Sequence, residues 1–130
     1  MFTVLLIEND NLVASYLNGF LRARKINLVE TMDVWLGSRL ARELEPDLIL
    51  IHLEFQPVEI YTLIKKLKQS SNSSQIPIVF LGAATDSKSS ELALELGANT
   101  ALTTPLESSC LKAIIDQYLT PNLQPTYCPA

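Results

Sequence analysis

Short apolar segments alternate with amphipathic segments five times along this chain. This alternation is typical of a doubly wound α/β fold, a five-stranded parallel sheet flanked by five helices on its two faces. The predicted strands run from Thr3 to Ile7, Asn27 to Glu30, Asp47 to Ile51, Ile76 to Leu81, and Thr100 to Thr103.

The helical segments carry apolar residues at the spacing of three and four that marks a buried stripe. We interpret these stripes as core and not as a cofactor site. The second helix is expected from Asp33 to Leu44, ahead of Pro46, and the fourth from about Asp86 to Gly97. The polar connection 69–75 is interpreted as a solvated linker. The stripes are Val13, Tyr16, Leu17, Phe20 and Leu21; Ile60, Leu63, Ile64 and Leu67; and Leu111, Ile114, Ile115, Tyr118 and Leu119.

The 130 residues fit a single domain, which we place at residues 1–119. Residues 120–130 contain Pro121, Pro125 and Pro129. A proline at every fourth position excludes a helix and favours extended chain. The sequence therefore predicts a flexible, proline-rich tail after the domain.

Charge and residue usage exclude several classes of protein. The net charge is −4, with the acidic residues dispersed, which opposes direct binding to nucleic acid. The apolar run at the amino terminus is broken by Glu8, far short of a membrane span, so a cytoplasmic protein is expected. Two cysteines are too few for a disulfide framework. Cys110 is expected to be a small helix residue, and Cys128 a reactive thiol in the tail.

Four segments place distinctive residues where an open α/β sheet offers a crevice, at the carboxyl ends of its strands. The first strand leads into Glu8-Asn9-Asp10, and the buried run 46–51 ends in His52. The fourth strand is followed by Gly82, and the stretch 97–106 contains Thr104-Pro105.

In order and spacing these segments resemble the receiver domain of bacterial two-component response regulators, from residue 3 to about residue 119. The resemblance implies the strand order 2-1-3-4-5. It places Glu8 and Asn9 at the acidic pair that holds magnesium, with Asp10 as an extra carboxylate just beyond. His52 then stands where the family has its phosphoacceptor aspartate.

Two further positions of the same pocket depart from the family. Gly82 takes the place of the threonine or serine that contacts the phosphoryl group, and Thr104 takes the place of the lysine. Pro105 is retained, and the resemblance implies a cis Thr104–Pro105 bond. A receiver needs a carboxylate that both ligates magnesium and attacks phosphorus, whereas imidazole is a poor magnesium ligand. We therefore predict a degenerate receiver with no catalysis, metal or cofactor.

The function predicted for such a chain is protein binding in signalling. The partners would be a sensor kinase, another regulator, a transcription component, or a second copy of the chain in a homodimer. From the surface that the family uses, the candidate contacts are Glu91, Leu94, Glu95, Ala101 and Lys112.

Other functions stay open at this point. The vacated pocket, with room at Gly82, Ala83 and Ala101, could hold a small ligand, and His52 could bind a transition metal or carry a phosphoryl group itself. A flavodoxin-like carrier is disfavoured because the acidic loop after the first strand lacks glycine. A hydrolase is disfavoured because no nucleophile elbow is present.

Overall fold

A computed structural model of the chain describes residues 2–8, 11–52, 57–83, 87–104 and 107–119. Within these ranges strands and helices alternate, and every strand pairing is parallel, in the order β2-β1-β3-β4-β5. The predicted doubly wound α/β sheet is confirmed. The elements are β1 (Thr3–Glu8), α1 (Asn11–Ala23), β2 (Asn27–Thr31), α2 (Val34–Leu44), β3 (Leu48–His52), α3 (Pro57–Gln69), β4 (Ile78–Ala83), α4 (Ser87–Leu96), β5 (Thr100–Thr104) and α5 (Ser108–Leu119).

The sheet separates two apolar cores. Successive strand residues point to opposite faces. Leu5 and Ile7 of β1 therefore pack with α2, α3 and α4, whereas Val4 and Leu6 pack with α1 and α5. We call these the α2–α3–α4 core and the α1–α5 core. Strand β3 is buried throughout, which explains why its sequence is a continuous apolar run instead of an alternating one.

The strands extend further toward their carboxyl ends than the apolar pattern predicts. Glu8 belongs to β1, His52 to β3, and both Gly82 and Ala83 to β4. The pattern marks the residues that are buried in the two cores, but ladder pairing continues beyond them. The residues at the carboxyl edge are therefore held in the regular sheet.

The connection after α3 differs from the predicted solvated linker. Ser73 is fully buried, and its Oγ donates to the carbonyl of Leu67 at 2.7 Å. The backbone N–H groups of Ser73 and Ser74 both donate to the carbonyl of Ser70, at 3.2 and 2.8 Å. The turn thus satisfies carbonyls at the end of the helix, a role that a polar composition alone does not reveal.

Lys68 and Asn99 join three elements at the amino edge of the sheet. The Lys68 Nζ donates to the carbonyl of Ile76 at 3.3 Å and to Asn99 Oδ1 at 3.1 Å. The same Oδ1 accepts from the backbone N–H of Ile78 at 3.0 Å. Partial burial of the ammonium group lowers the pKa of Lys68 through desolvation. These bonds fix the starts of β4 and β5 against the end of α3.

Helix α1 ends in a Schellman motif with a lysine where glycine is usual. The N–H of Ile26 donates to the carbonyl of Leu21, and the N–H of Lys25 to that of Arg22, both at 3.0 Å. Lys25 has φ of 58°, in the left-handed region. A side chain in this region is sterically disfavoured relative to glycine.

We expect Lys25→Gly to raise the free energy of unfolding by about 0.5–1 kcal/mol, because glycine removes the left-handed penalty but loses more entropy on folding. Urea unfolding followed by circular dichroism measures the change. The matched control is Lys25→Ala, which removes the same charge but retains Cβ. An equal rise in both variants would assign the effect to charge and contradict the backbone explanation.

Candidate functional site at the carboxyl edge of the sheet

The four segments singled out in the sequence converge on one edge of the sheet. Glu8 and His52 are the last residues of β1 and β3, and they are direct partners in the register of these strands. On the other side of β3, Gly82 pairs with Thr103, and Ala83 with Thr104. Parallel strands present their carboxyl ends together, which is why residues far apart in the sequence meet here.

Glu8 and His52 are both withdrawn from solvent, with 4% and 3% of their surface exposed. Neighbouring strands lie about 4.8 Å apart, so side chains at partner positions are within reach of one another. Buried ionisable groups require polar partners. The edge thus presents a buried carboxylate next to a buried imidazole.

The space beside Gly82 is occupied. A Cβ built on this residue would lie 2.8 Å from Cε1 of Phe80 and 2.9 Å from Oγ of Ser90. Phe80 is two residues earlier on the same strand and is itself 3% exposed, so its ring is fixed in the α2–α3–α4 core. Sequence analysis identified the missing side chain at Gly82 but did not identify the ring that fills its place.

We expect Gly82→Thr to lower the free energy of unfolding by about 1–3 kcal/mol, because the added side chain overpacks against Phe80. Chemical denaturation of the single and double variants with Phe80→Val measures this. In the Phe80→Val background the penalty of Gly82→Thr should shrink, which gives a favourable coupling in the double-mutant cycle. An undiminished penalty in that background would show that Phe80 is not the obstacle.

Several predicted site residues lie outside the described part of the chain. Asn9, Asp10 and Pro105 are among them, and so is the expected cis bond before Pro105. Thr104 is described as the last residue of β5, but its side chain is not. The site described here therefore consists of Glu8, His52 and the backbone around Gly82.

The chemistry of these donors does not fit magnesium. This ion prefers oxygen ligands in octahedral geometry, and the described edge supplies one carboxylate beside an imidazole. No three histidine, cysteine, aspartate or glutamate side chains cluster around a common metal position within the described ranges.

The predicted interaction surface extends over α4, β5 and α5. Glu91, Leu94 and Glu95 are exposed on α4, where 45% of the Leu94 surface is accessible, and Lys112 is exposed on α5. Ala101 is half-buried and packs against the α2–α3–α4 core, so it is a weaker candidate for contacts. Sequence analysis missed Leu92, which is also exposed on α4.

A second exposed apolar group lies at the start of α2. Met32 and Trp35 expose 66% and 60% of their surfaces, and Leu36 beside them exposes 43%. The ammonium group of Lys66, on α3, lies 5.2 Å from the centre of the Trp35 ring, within the range of a cation–π contact. Sequence analysis did not identify these apolar residues as exposed.

Cys110, in the first turn of α5, is disulfide-bonded. Sequence analysis expected a small helix residue at this position, and Cys110 does lie in a helix, but the disulfide was not expected. The number of cysteines and their position late in the chain argued against a disulfide framework, but neither shows whether two thiols come together in the fold.

The strand order, the helices on both faces and the polar carboxyl edge are shared with a known family. A family profile described as the response regulator receiver domain matches residues 4–116. The chain belongs to the response regulator receiver domain family. As a receiver domain it is a signalling module of two-component systems, in which such domains interact with sensor kinases and other regulators.

Relatives and solved structures agree with this family. The chain is 28% identical over 122 residues to YvcP, an uncharacterized transcriptional regulatory protein of Bacillus subtilis, covering 92% of this chain and 49% of YvcP. It is 25% identical over 104 residues to RpaA, a DNA-binding dual master transcriptional regulator of Synechocystis, covering 80% of this chain and 43% of RpaA. The receiver domain thus spans about half the length of these curated relatives.

Two solved structures illustrate the shared fold. A response regulator from Chloroflexus aurantiacus superposes with a TM-score of 0.84 at 24% identity, covering 92% of this chain and 98% of that one. The receiver domain of the Pseudomonas aeruginosa sensor histidine kinase PA1611, which has magnesium coordinated in its active site cleft, gives 0.82 at 21% identity with the same coverage. At these identities the likeness concerns the fold. No helix in the described ranges has the length and apolar character required to cross a bilayer.

Proposed function

We propose that this receiver domain signals by binding other proteins without accepting a phosphoryl group, and that His52 stands in the place of the phosphoacceptor aspartate. The observation that carries the proposal is the position of His52 at the carboxyl end of β3, with 3% of its surface exposed beside Glu8. A phosphoryl acceptor must reach the phosphorus atom of the donor in order to attack it. The imidazole of His52 is too enclosed to do so.

Electrostatics support the same conclusion. An opposite unit charge near 4 Å is worth on the order of 4 kcal/mol at an effective dielectric of 20. The family's acidic pair and acceptor supply three carboxylates, and in this chain Asn9 and His52 replace two of them. Losing two such attractions to a divalent cation opposes magnesium binding, which the family's phosphoryl transfer requires.

The packing at Gly82 opposes the family's means of transmitting the phosphoryl signal. A hydroxyl at this strand position would contact the phosphoryl group and move with it. Glycine has no such group, and the Phe80 ring and Ser90 Oγ close the adjoining space. The same packing weakens the small-ligand alternative, since the room that was expected at Gly82 is already filled.

The surface of α4 supports a role in protein binding. Leu92 and Leu94 are exposed among the acidic Glu91 and Glu95, with Lys112 exposed on α5. Apolar groups within a charged rim are typical of protein interfaces. The partners we propose are a sensor kinase, another regulator, a transcription component or a second copy of the chain, as a homodimer.

Incubation with acetyl phosphate and magnesium tests the missing chemistry directly. We expect the intact mass of the chain to stay unchanged while an active receiver domain, carried through the same reaction, gains one phosphoryl group. The matched variant is His52→Gln, which keeps a neutral polar side chain but removes the imidazole. A phosphorylated wild-type chain would overturn the proposal, and loss of that signal in His52→Gln would identify His52 as the acceptor.

A phosphoryl analogue tests binding without transfer. Beryllofluoride with magnesium should leave the amide resonances of Glu8, His52 and Gly82 unchanged, since the carboxylate that it would modify is absent. Shifts confined to these residues would show that the pocket still accepts the activating group and would contradict this account.

A further inference from the structure

We propose that the exposed face of α2 binds the exposed face of α4 on a second copy of the chain, so that copies join head to tail. A second copy is one of the partners in the proposed function, on which this pairing rests. The α2 surface consists of Met32, Trp35, Leu36, Arg39 and Arg42. The α4 surface consists of Glu91, Leu92, Leu94 and Glu95.

The α2 surface has the apolar content of a binding site. Met32 and Trp35 expose 66% and 60% of their surfaces. Tryptophan is among the residue types that most often supply the binding energy of protein interfaces. The ammonium group of Lys66 lies 5.2 Å from the centre of the Trp35 ring and favours one orientation of it. A ring that is already oriented loses less entropy when a partner covers it.

The α2 surface is basic. Arg39 and Arg42 are exposed on it, and Lys66 adds a third cation beside it. Glu43 is paired with Arg39 at 2.8 Å, but both side chains are more than half exposed, and such a pair contributes little and can exchange partners. Asp33 is the N-cap of α2, and its carboxylate accepts two backbone N–H groups. The three cations outnumber these two acids.

The α4 surface is acidic. Glu91 and Glu95 are one turn apart on its exposed side, and Lys88, one turn before Glu91, offsets one of the two charges. A pairing of two α4 surfaces would bring carboxylates together, and a pairing of two α2 surfaces would bring guanidinium groups together. Opposite potentials across an interface favour association, whereas like charges oppose it. Charge therefore favours α2 against α4 over either symmetrical pairing.

The positions of α2 and α4 require that the contact be made between two copies. Both helices cover the same face of the sheet, α2 over β1 and β2 and α4 over β4 and β5, and α3 lies between them in contact with both. The two surfaces are therefore at opposite ends of one helical layer. One contact leaves a free α2 surface on one copy and a free α4 surface on the other, so association continues into an open chain or closes into a ring.

Sedimentation equilibrium of the full chain at low salt, between about 1 μM and 1 mM, tests this association. We expect the average mass to rise with concentration past that of a dimer, because a head-to-tail contact does not end at two copies. Trp35→Ala should lower the association constant about thirtyfold or more, as for a central tryptophan of an interface. A wild-type chain that stays monomeric up to about 1 mM would overturn the proposal.

A mixture of two variants distinguishes the head-to-tail contact from a symmetrical one. Trp35→Ala alters the α2 surface alone, and Glu91→Lys with Glu95→Lys alters the α4 surface alone, so each variant should be monomeric where the wild-type chain associates. All three positions are exposed, and circular dichroism confirms that each variant is folded. Mixed, the variants retain one intact surface each and should form a dimer and nothing larger. Association of either variant alone, or no dimer in the mixture, would overturn the proposal.

Fluorescence reports the α2 surface directly, because Trp35 is the single tryptophan of the sequence. Its emission should shift to shorter wavelength as the wild-type chain associates, and should not change with concentration in the variant with Glu91→Lys and Glu95→Lys. The control is Glu107→Lys, at an exposed position outside both surfaces, which should associate as the wild-type chain does. Constant emission during association, or an equal loss of association in the control, would contradict the proposed contact.

Two outcomes separate this contact from the proposed function. A chain that stays monomeric and gains no phosphoryl group from acetyl phosphate would overturn the head-to-tail contact alone. A chain that assembles as expected and does gain a phosphoryl group would overturn the proposed function and leave the contact in place.

Discussion

Gly97→Ala should lower the free energy of unfolding by about 2–3 kcal/mol, because its backbone conformation is open almost only to glycine. Gly97 closes α4 with φ of 126°. A Cβ added there would also lie 2.7 Å from Cγ of Lys68, which is held in place by its bonds to Ile76 and Asn99. Urea unfolding should be followed by far-ultraviolet circular dichroism, since Trp35 is already 60% exposed in the folded state.

The contribution of the Lys68 contact can be separated from that of the backbone. In the Lys68→Ala background, the Gly97→Ala substitution meets no Cγ, so only the conformational penalty should remain. The loss of unfolding free energy caused by Gly97→Ala should therefore be smaller in the Lys68→Ala background than in the wild-type background. If Gly97→Ala lowers the free energy of unfolding by less than about 0.5 kcal/mol in the wild-type background, the backbone at Gly97 does not impose the expected left-handed strain.

Gly37→Ala should destabilise the protein although it places alanine in a helix. A Cβ at this position of α2 would lie 2.6 Å from Cδ1 and 2.8 Å from Cγ1 of Ile7, and both residues are buried. Overpacking costs about 1–3 kcal/mol, whereas alanine gains up to about 1 kcal/mol in helix propensity. We expect a net loss of about 1–2 kcal/mol, measured as a change in the urea midpoint.

Gly19→Ala is the matched control for this prediction. Gly19 lies inside α1 and is exposed, and a Cβ there would meet nothing within 4 Å. The same substitution should therefore raise the free energy of unfolding by about 0.5–1 kcal/mol. Changes of the same sign at Gly19 and Gly37 would show that close approach of α2 to β1 does not restrict Gly37.

The fold could be predicted from the sequence because burial imposes a pattern. Strand β3 is covered on both faces and so reads as an unbroken apolar run, while each helix shows one apolar stripe. The strand ends could not be predicted from this pattern, since Glu8 and His52 are polar but still belong to the ladder. Pairing at the edge depends on backbone hydrogen bonds, to which side-chain polarity gives no clue.

Which residues form the site could also be predicted from the sequence, but how those residues pack could not. That Glu8 and His52 would meet follows from parallel strands ending at one edge. The closure of the space at Gly82 depends on the orientation of the Phe80 ring, which the core decides. The hydrogen bond of Ser73 and the disulfide at Cys110 could not be predicted for a similar reason, because a small side chain takes its role from the groups that surround it.

The α1–α5 core joins the first and the last helix of the described residues, and this affects the domain while it is being synthesised. Tyr16 of α1 and Ser108 of α5 share a hydrogen bond of 2.9 Å across 92 positions of sequence. The opposite face of the sheet needs only α2, α3 and α4, which a ribosome completes earlier. Until residue 119 has been translated, the apolar stripe of α1 has no helical neighbour on its face, so the nascent domain exposes it longest to chaperones and to aggregation.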